Sequence, residues 1–414
     1  MKDYTAVAFC AIGAEKVVSN ELKKLASLGA GQAEKGPPEK QAAYTILESG
    51  FGRVRFKTDL AGLYRALMSL RAADRLLLEV GTFPAPDFDA LFDGTGNIPW
   101  EGLIPRSMGL KVGKVRSSAS RLKAETSVQA VVHKAAAERL CKQYGVRRLP
   151  EPGGAQQAEL RVYMEKDTAA ILLDLSGESL FKRGYRPAGG IAPLRESTAA
   201  AIILLSGWRR KFPLYDPFCG SGTILIEAAL YAWDQAPGLG RRFTLSDLAV
   251  ADKNTEEAIR RELLEKIDYS RPVCITGSDA DEKAVTLARA NLRRAMELPK
   301  KAFAASGQNV EINCLPMEKA APVKRAGAGN NSAHGTAQGF IITNPPYGNR
   351  LGEIEEAEAR YAEMASLRAS FPGWKLSLIS NHKGFESHFG RKADACRLLK
   401  SGALDTWLYQ YEKL

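Results

Sequence analysis

Residues 214–229 read LYDPFCGSGTILIEAA, and the class of the fold follows from this stretch. Its apolar start predicts a short strand that ends at Asp216, and its apolar end predicts a helix. The turn between them, GSG at 220–222, has two glycines, which adopt conformations closed to other residues and let a ligand approach the main chain. Open α/β sheets bind ligands at such turns, at the carboxyl ends of parallel strands. The turn lacks the G-K-[ST] of a Walker loop, and Leu225 replaces the third glycine of a dinucleotide-binding motif.

The chain around this motif alternates between predicted helices and strands. The predicted elements are helix 197–208, strand 212–219, helix 221–233, strand 271–279, helix 280–296, strands 309–314 and 339–346, helix 353–370 and strand 375–382. Helices of this length between strands imply a parallel sheet with helices on both faces. The tail, residues 397–414, is expected to form a hairpin that turns at Ser401-Gly402 and adds an antiparallel edge.

The first eighty residues predict an α+β unit. Its elements are strand 5–10, helix 14–28, strands 44–49 and 52–58 joined at Ser49-Gly50, helix 59–70 and strand 74–83. Asp59 is the expected N-cap of the second helix, because its carboxylate can accept a free backbone N–H there. The order βαββαβ is that of a ferredoxin-like unit, which we assign to residues 1–83.

Residues 84–180 are basic and contain no obvious catalytic grouping. They predict a loop-rich stretch at 84–100 with a turn at Gly94 and Gly96, strand 109–115, helix 125–144, a linker at 151–157, and strands 159–167 and 168–177. Between Arg106 and Arg148 there are eleven Lys and Arg but only two glutamates, a net charge of +9 in a chain of +11. A solvated face is one interpretation. A surface for a polyanion, whose counterions the cations displace, is the other.

Two further segments are predicted to connect or to move. Residues 181–195 (FKRGYRPAGGIAPLR) are rich in Gly, Pro and Arg and are expected to form a hinge. Residues 324–339 (KRAGAGNNSAHGTAQG) have low complexity and too few apolar side chains to bury a core, so we expect them to be mobile.

Composition excludes several classes of protein. No apolar run reaches the length of a membrane span, and the N-terminus lacks the features of a signal peptide. Six cysteines lie far apart with no C-x-x-C motif, and four histidines form no cluster, so we expect neither a disulfide framework nor a metal. Free cysteines are typical of a reducing compartment, and we predict a cytoplasmic protein.

The next predicted strand also ends at a residue that could bind a ligand. In TGSDADEKAV (276–285) the strand is expected to end at Asp279, whose carboxylate could accept hydrogen bonds from both hydroxyls of a ribose. The competing interpretation is a helix N-cap, and either Asp279 or Asp281 is expected to serve as one. Together with the glycine turn, Asp279 predicts an adenosyl ligand, and the absent third glycine disfavours a dinucleotide.

Residues 340–352 read FIITNPPYGNRLG and predict a buried strand that stops abruptly. Two prolines prevent further strand pairing, because proline has no N–H to donate and a fixed φ. The strand end therefore presents the Asn344 amide, free carbonyls and the Tyr347 ring. A simple proline turn is the alternative interpretation of these four residues taken alone.

These three motifs carry a resemblance. DPFCGSGT (216–223), GSDAD (277–281) and NPPYGNRLG (344–352) resemble class I S-adenosylmethionine-dependent methyltransferases of the THUMP-containing RNA guanine-N2 methylase family. Residues 181–203 and 398–411 are similar to the same family, and the bacterial enzymes that methylate guanine N2 in 23S rRNA are the nearest resemblance. It implies an N-terminal ferredoxin-like domain at 1–83, a THUMP RNA-binding domain at 84–180 and a Rossmann-like methyltransferase domain at 196–414. The hinge is then 181–195.

The resemblance also implies which residues carry the function. S-adenosyl-L-methionine binding is assigned to Leu194, Arg195, Glu196, Asp216, Cys219, Gly220, Ser221, Gly222, Thr223, Asp279, Ala280 and Asn344, with 194–196 at the methionine end. Catalysis is assigned to Asn344, Pro345, Pro346 and Tyr347. The sequence departs from the family near the adenine amine, where Cys314 stands in place of the usual acidic residue. A backbone contact or Glu318 could substitute, and the sequence does not choose between them.

An amine on an aromatic ring is a poor nucleophile, because its lone pair is delocalised into the ring. If Asn344 Oδ1 and the Pro345 carbonyl each accept one N–H, the nitrogen moves toward tetrahedral geometry and its lone pair points at the methyl donor. The prolines hold both acceptors rigid, which is catalysis by positioning. Tyr347 is expected to stack on a flipped base.

Other functions remain open at this point. The same four residues serve adenine-N6 and protein glutamine methyltransferases, which also methylate a planar amino nitrogen. Within guanine-N2 methylation, tRNA is an alternative substrate to 23S rRNA. A different class is an RNA-binding assembly factor that has lost its activity. No membrane or metal partner is expected.

Overall fold

A computed structural model describes residues 3–28, 44–150, 156–187, 194–299, 310–322, 338–347, 353–401 and 404–414 of the 414-residue chain. These residues form two seven-stranded sheets, one in each half of the chain. The predicted linker at 151–157 and hinge at 181–195 are described only in part, and most of the segment at 324–339 lies outside the described residues. No helix in the described part of the chain has the length and apolar character that a bilayer span requires.

The N-terminal half contains β1 (Tyr4–Cys10), α1 (Glu15–Leu28), β2 (Thr45–Gly50), β3 (Arg53–Thr58), α2 (Leu60–Ser69), β4 (Ala73–Pro84), α3 (Phe88–Gly96), β5 (Gly109–Ser118), α4 (Glu125–Tyr144), β6 (Gln157–Glu165) and β7 (Thr168–Asp174). The first four strands pair antiparallel in the order β2-β3-β1-β4, so the predicted ferredoxin-like unit is confirmed. Asp59 caps α2, as predicted, with its carboxylate 2.8 Å from the Gly62 N–H.

One sheet joins this unit to the segment that follows it. The full strand order is β2-β3-β1-β4-β7-β6-β5. Because β4 pairs with β1 on one side and with β7 on the other, the predicted boundary between residues 83 and 84 falls at the end of a strand shared by both units. Strand β5 pairs parallel to β6 and forms the edge of the sheet.

Two local predictions in this half are wrong. The stretch expected to be loop-rich contains α3, whose N-cap Asp87 accepts a hydrogen bond from the Ala90 N–H at 2.9 Å. Gly94 and Gly96 lie in its last turn, so they do not form a separate turn. The β2–β3 turn lies at Phe51-Gly52, two residues beyond its predicted position, and both residues have positive φ.

The C-terminal half contains α5 (Glu196–Leu205), β8 (Leu214–Asp216), α6 (Thr223–Ala232), α7 (Lys253–Glu265), β9 (Ile275–Asp279), α8 (Glu282–Glu297), β10 (Val310–Cys314), β11 (Phe340–Thr343), α9 (Glu353–Glu363), α10 (Leu367–Ser370), β12 (Lys375–Ser380), α11 (Phe385–Phe389), β13 (Ala395–Ser401) and β14 (Leu404–Tyr411). The strand order is β10-β9-β8-β11-β12-β14-β13, with every pair up to β12 parallel. The tail hairpin pairs antiparallel to β12, which confirms the predicted edge.

The strands at the middle of this sheet are buried on both faces. Ile341 belongs to one apolar cluster and Ile342 to another, and both side chains are fully buried. Such burial on both faces explains why β11 is apolar at every position but its last. The sequence interpretation missed α7, whose cap Asp252 and buried Ile259 and Leu263 lie at helical spacing.

Buried charges join the two halves of the chain just before α5. The Arg183 guanidinium donates to the carbonyls of Leu180 (2.6 Å) and Arg71 (2.5 Å), and its Nε lies 3.5 Å from the Glu227 carboxylate. Tyr185 donates a further hydrogen bond to Glu227 at 3.1 Å. All three side chains are almost fully buried, so the first part of the predicted hinge is an anchored joint.

Candidate active site

A cavity of about 620 Å³ lies where the carboxyl ends of β8, β9 and β11 meet. Its lining residues are Leu194, Arg195, Thr198, Pro217, Phe218, Gly220, Asp279, Ala280, Pro316, Met317, Asn344, Pro345, Pro346, Tyr347, Arg360, Ile379 and Thr406. Its position is the one at which open α/β sheets bind ligands, and its volume suits a small molecule.

The glycine turn has the geometry that its sequence predicts. Gly220 and Gly222 have φ of +50° and +82°. A Cβ on Gly222 would come within 3.0 Å of Ala288, so α6 packs closely on α8 there, whereas a Cβ on Gly220 would meet no heavy atom within 4 Å. The fully buried Asn291 fixes the turn by donating to the Ser221 carbonyl at 2.9 Å. The backbone at Gly220 is therefore free for a ligand to approach.

Asp279 and Asp281 have separate tasks. Asp281 is the N-cap of α8 and accepts the Lys283 N–H at 2.9 Å. Asp279 lines the cavity, and each of its carboxylate oxygens accepts one backbone N–H, from Gly220 at 2.9 Å and from Asp281 at 3.0 Å. Because a carboxylate oxygen can accept a second hydrogen bond, Asp279 is able to receive two ligand hydroxyls.

Asp216 lies beneath the cavity and does not line it. The Asp216 side chain is almost fully buried, and its Oδ1 accepts hydrogen bonds from the Thr343 hydroxyl at 2.6 Å and the Phe218 N–H at 3.1 Å. The bond from Thr343 joins the ends of β8 and β11. Burial, with a smaller contribution from the negative charge of Asp279, raises the pKa of Asp216 to about 7, although both hydrogen bonds act in the opposite direction.

The titration of Asp216 predicts a pH dependence of stability. An unfolded Asp has a pKa of about 3.9, so between about pH 4 and 7 the folded protein holds a proton that the unfolded chain releases. Asp216 therefore makes the wild-type protein lose stability as the pH rises through this window, and Asp216→Asn lacks this contribution. Urea unfolding measures the free energy of unfolding of both proteins. As the pH rises through this window, the value for the variant should increase relative to the wild type by up to about 1.4 kcal/mol per pH unit. Parallel curves would contradict the assignment.

The segment Asn344–Tyr347 follows β11 at the rim of the cavity. Asn344 is half-buried, and its Oδ1 contacts the Tyr347 hydroxyl. The fully buried Tyr361 of α9 donates to the Pro346 carbonyl at 3.0 Å and lies 3.1 Å from the Ser380 hydroxyl on β12. Two neighbouring elements therefore hold the prolines in place. Tyr347, expected to stack on a base, here lies with its hydroxyl on Asn344, and burial raises its pKa.

A carboxylate of the N-terminal half supports the part of the cavity wall that contains Arg195. Asp74 of β4 accepts hydrogen bonds from Arg195 Nη1 at 3.2 Å and from the Ser197 hydroxyl at 2.5 Å. The Arg195 guanidinium also lies over the Phe181 ring, 4.8 Å from its centroid. Asp74 thus holds a cation that lines the cavity. Sequence analysis did not identify Asp74, which lies 121 residues before Arg195.

We expect Asp74→Ala to weaken ligand binding in this cavity. Loss of a hydrogen bond to a charged group costs about 1.5 kcal/mol, which corresponds to a roughly tenfold higher Kd for S-adenosylhomocysteine by calorimetry. Asp59→Ala is the matched control: it removes the N-cap of α2 in the same half of the chain without touching the cavity. Equal Kd values for both variants would show that Asp74 has no positioning role.

The side of the cavity after β10 is apolar. Pro316 and Met317 line it there next to Ala280, which follows β9, whereas Cys314 and Glu318 do not line it. The Cys314 thiol lies 3.7 Å from the Ala280 carbonyl, and the Glu318 carboxylate pairs with Arg360 at 2.8 Å. Of the two substitutes considered for the acidic residue, the Glu318 side chain does not line the cavity and pairs with Arg360, which does, whereas backbone groups lie along the lining itself.

The structure brings together most, but not all, of the residues assigned by resemblance. Leu194, Arg195, Gly220, Asp279, Ala280, Asn344, Pro345, Pro346 and Tyr347 line the cavity. Glu196, Asp216, Cys219, Ser221, Gly222 and Thr223 lie outside its lining. Glu196 is buried against Arg186 at 2.5 Å, and burial raises its pKa. Pro316 and Met317 were missed, although their position after a parallel strand is the signal that revealed Asp279.

Family relationships agree with this geometry. The RMKL-like methyltransferase domain matches residues 183–410, more than half of the chain. The chain belongs to this family. The RlmL ferredoxin-like domain matches residues 40–77, and the predicted Rossmann-like methyltransferase fold with a ferredoxin-like N-terminal unit is confirmed. A THUMP domain at 84–180 stays a prediction, as do the domain boundaries.

Two relatives extend the family assignment over nearly the whole chain. YpsC of Bacillus subtilis, a candidate RNA methyltransferase by name, is 35% identical over 99% of this chain and 96% of its own. Ribosomal RNA large subunit methyltransferase K/L of Syntrophotalea carbinolica is 32% identical over 97% of this chain. The chain spans only about half of that enzyme, 52% of its length.

Two solved structures share the whole architecture. SMU.472, described as a methyltransferase candidate complexed with SAH, is 33% identical with a TM-score of 0.82, covering 100% of this chain and 99% of its own. A Listeria monocytogenes protein described as a predicted N6-adenine-specific DNA methylase is also 33% identical, with a TM-score of 0.83 and coverage of 100% and 97%. Within the described residues, no cluster of His, Cys, Asp and Glu could hold a metal ion.

Proposed function

We propose that this protein transfers a methyl group from S-adenosyl-L-methionine to the exocyclic N2 amine of a guanine in RNA, with 23S rRNA as the substrate. The observation that carries the proposal is the cavity itself, since the turn at Gly220, the carboxylate of Asp279 and the acceptors of Asn344 and Pro345 all line it. A methyl donor and an amine would therefore meet in one place.

The lining residues fit an adenosyl ligand. Open space at Gly220 accommodates a ligand against the backbone, and Asp279 has lone pairs left for two ribose hydroxyls. Ala280, Pro316 and Met317 offer an apolar slot for a planar base. S-adenosyl-L-methionine supplies an electrophilic methyl group when bound. The protein's own part is to hold the amine in line with that group.

Asn344 and Pro345 perform this positioning. The Asn344 amide oxygen and the Pro345 carbonyl each accept one N–H of the target amine, which concentrates its lone pair on the side facing the methyl group. Tyr361 keeps the adjoining Pro346 carbonyl fixed, so the acceptors need little rearrangement. When the amine arrives, it takes the place of the Tyr347 hydroxyl on Asn344, and the freed ring is then able to stack on the base. No side chain has to act as a base before transfer, because the methylated amine is itself acidic.

An exposed basic surface on β5 and the elements around it supports RNA as the substrate, as do the names of the two relatives. Seven of the eleven cations between residues 106 and 148 are exposed and make no ion pair with any described residue: Arg106, Lys111, Lys114, Arg116, Lys123, Lys142 and Arg147. The pKa of Lys114 is lowered mainly by desolvation, and the nearby charges of Arg116 and Arg161 lower it further, so several positive charges lie close together here. Phosphates would relieve this repulsion.

Replacing both Lys114 and Arg116 with Ala should weaken RNA binding in a salt-dependent way. Losing two phosphate contacts lowers the slope of log K against log salt by about 1.4 to 1.8. Fluorescence anisotropy with a labelled RNA at several salt concentrations measures this slope. Arg261→Ala, an exposed cation on α7, is the matched control, and an equal loss in this variant would contradict a specific surface.

Adenine-N6 methylation is the second candidate, favoured by the description of the Listeria neighbour.

To identify which nucleic acid is methylated, we would incubate the protein with radiolabelled S-adenosylmethionine and separate pools of unmodified 23S rRNA, 16S rRNA, tRNA and duplex DNA. The proposal predicts label in 23S rRNA. Label in tRNA would change the substrate, and label in DNA alone would overturn RNA methylation. No label from a protein that still binds S-adenosylhomocysteine would favour an RNA-binding assembly factor.

A further inference from the structure

A second cavity, of about 710 Å³, lies between the two halves of the chain. It is bounded by α1 and the end of α2 on one side and by the ends of α5 and α6 on the other. Because α6 runs back from the carboxyl end of β8, its last turn lies at the amino edge of the sheet, away from the candidate active site. The two cavities share no lining residue.

The lining of this cavity is strongly cationic, with seven Lys and Arg against two carboxylates. Both carboxylates already have partners. Glu21 accepts the N–H groups of Arg71 and Ala72, and Asp234 pairs with Arg210 and with Arg271. At the rim, Lys16 and Arg397 are exposed and pair with no described residue. Glu262, which does not line the cavity, pairs with both Arg65 and Lys266. Seven cations against these three carboxylates leave the cavity with excess positive charge.

Arg71 is the buried cation of the cavity. It is 9% exposed, and its Nη2 donates to the carbonyls of Leu230 at 3.3 Å and Gln235 at 2.8 Å. Its Nη1 is buried and has no hydrogen-bond partner among the described residues. A buried guanidinium with an unsatisfied donor is costly, and an anion bound in the cavity that Arg71 lines would offset its charge.

The remaining walls are suited to a ring. Leu204, Leu205 and Leu263 form an apolar side, next to the half-buried ring of Tyr231. The Arg210 guanidinium lies 4.5 Å from the centroid of that ring. On α1, Lys16, Asn20 and Lys24 follow one another at intervals of four residues, so they line the same face of the helix along the cavity. Apolar walls with a few convergent polar groups, at a junction between domains, are typical of ligand sites.

The geometry points to a second binding site in this cavity, for a nucleoside phosphate whose phosphate meets the cations and whose base lies along the leucines. Two sources supply this chemistry: a nucleotide unit of the RNA substrate, or a free nucleotide. The RNA source rests on the proposed function, whereas the free nucleotide does not. The experiment therefore measures binding and not methyl transfer. A failure of the second-site inference can then be told apart from a failure of the proposed function.

The test uses the full chain saturated with S-adenosylhomocysteine, so that the cofactor part of the candidate active site is occupied and any binding at its base-accepting part is recognised because the cavity variants do not change it. GMP and UMP are titrated by calorimetry, and a labelled 20-nucleotide single-stranded RNA by anisotropy. One variant, Lys16→Ala with Arg397→Ala, removes the rim charges, and a second, Leu205→Trp, fills the cavity without changing charge. The control, Lys23→Ala with Arg261→Ala, removes two exposed cations that do not line the cavity. Thermal unfolding checks that each variant is folded.

We expect saturable 1:1 binding of a nucleotide or of RNA, weakened at least tenfold by both cavity variants and less than twofold by the control. Nucleotide binding assigns the site to a free nucleotide, and an effect on RNA alone assigns it to the substrate. The inference is overturned if neither ligand is affected by the cavity variants. It is also overturned if the control loses as much affinity as they do.

Discussion

Asn344→Ala is expected to slow methyl transfer by about 10²–10³-fold while changing the Kd for S-adenosylhomocysteine by less than about threefold. The amide oxygen lies at the end of β11, where the prolines and Tyr361 hold the backbone still. Without it, one N–H of the amine has no acceptor and the lone pair stays delocalised in the ring. Single-turnover rates with saturating cofactor measure the loss, and calorimetry measures the Kd.

Tyr347→Phe is the matched control for this prediction. It keeps the ring that stacks on the base and removes only the hydroxyl that contacts Asn344 Oδ1. We expect this variant to retain at least about a tenth of the wild-type rate, because the acceptor oxygen remains. If Asn344→Ala retained as much, the amide would not be the group that positions the amine.

Arg183→Met is expected to lower the free energy of unfolding by about 3–5 kcal/mol. The substitution leaves the Glu227 carboxylate, itself fully buried, without its cation, and it removes the donors to the Leu180 and Arg71 carbonyls that join the two halves. Breaking a buried pair at one partner is far more costly than the pair itself is stabilising. Urea unfolding followed by tryptophan fluorescence measures the loss.

Lys182→Met, one residue away, is the control. Lys182 pairs with Glu178 at the surface, where both side chains are more than half exposed, so its loss should change stability by less than about 0.5 kcal/mol. Glu227→Gln in the Arg183→Met background should recover part of the loss, because it removes the unpaired charge. Similar values for Arg183→Met and Lys182→Met would mean that the joint is not a structural anchor.

Local patterns predicted the strands and most helices, and they singled out residues at strand ends that line one cavity. The apolar run of β11 and the glycines at 220 and 222 are signals contained in a few adjacent residues, and both specify the end of a strand. The same reasoning failed at α3, whose sequence contains two glycines, and at α7, whose sequence is mostly polar, because both look like loops when read for apolar residues alone. Each of these helices has an Asp cap, a local signal that was overlooked.

Contacts between distant residues could not be predicted. Asp74 and Ser197 meet because β4 lies against the start of α5, and no pattern in a window of twenty residues contains that information. Arg183 was interpreted as part of a basic hinge, yet burial beside Glu227 makes it an anchor. The direction of the Glu196 side chain could not be predicted either. Glu196 has the predicted position, but its side chain is buried against Arg186, away from the cavity.

The most direct test of the account is the identity of the methylated atom. RNA that has taken label from S-adenosylmethionine is digested to nucleosides and separated by chromatography with mass spectrometry, for the wild type and for Asn344→Ala. The account predicts label in N2-methylguanosine with the wild type and its near-complete loss with the variant. Label in N6-methyladenosine would contradict the base assignment. Equal labelling by both proteins would contradict the role of the cavity rim in holding the amine.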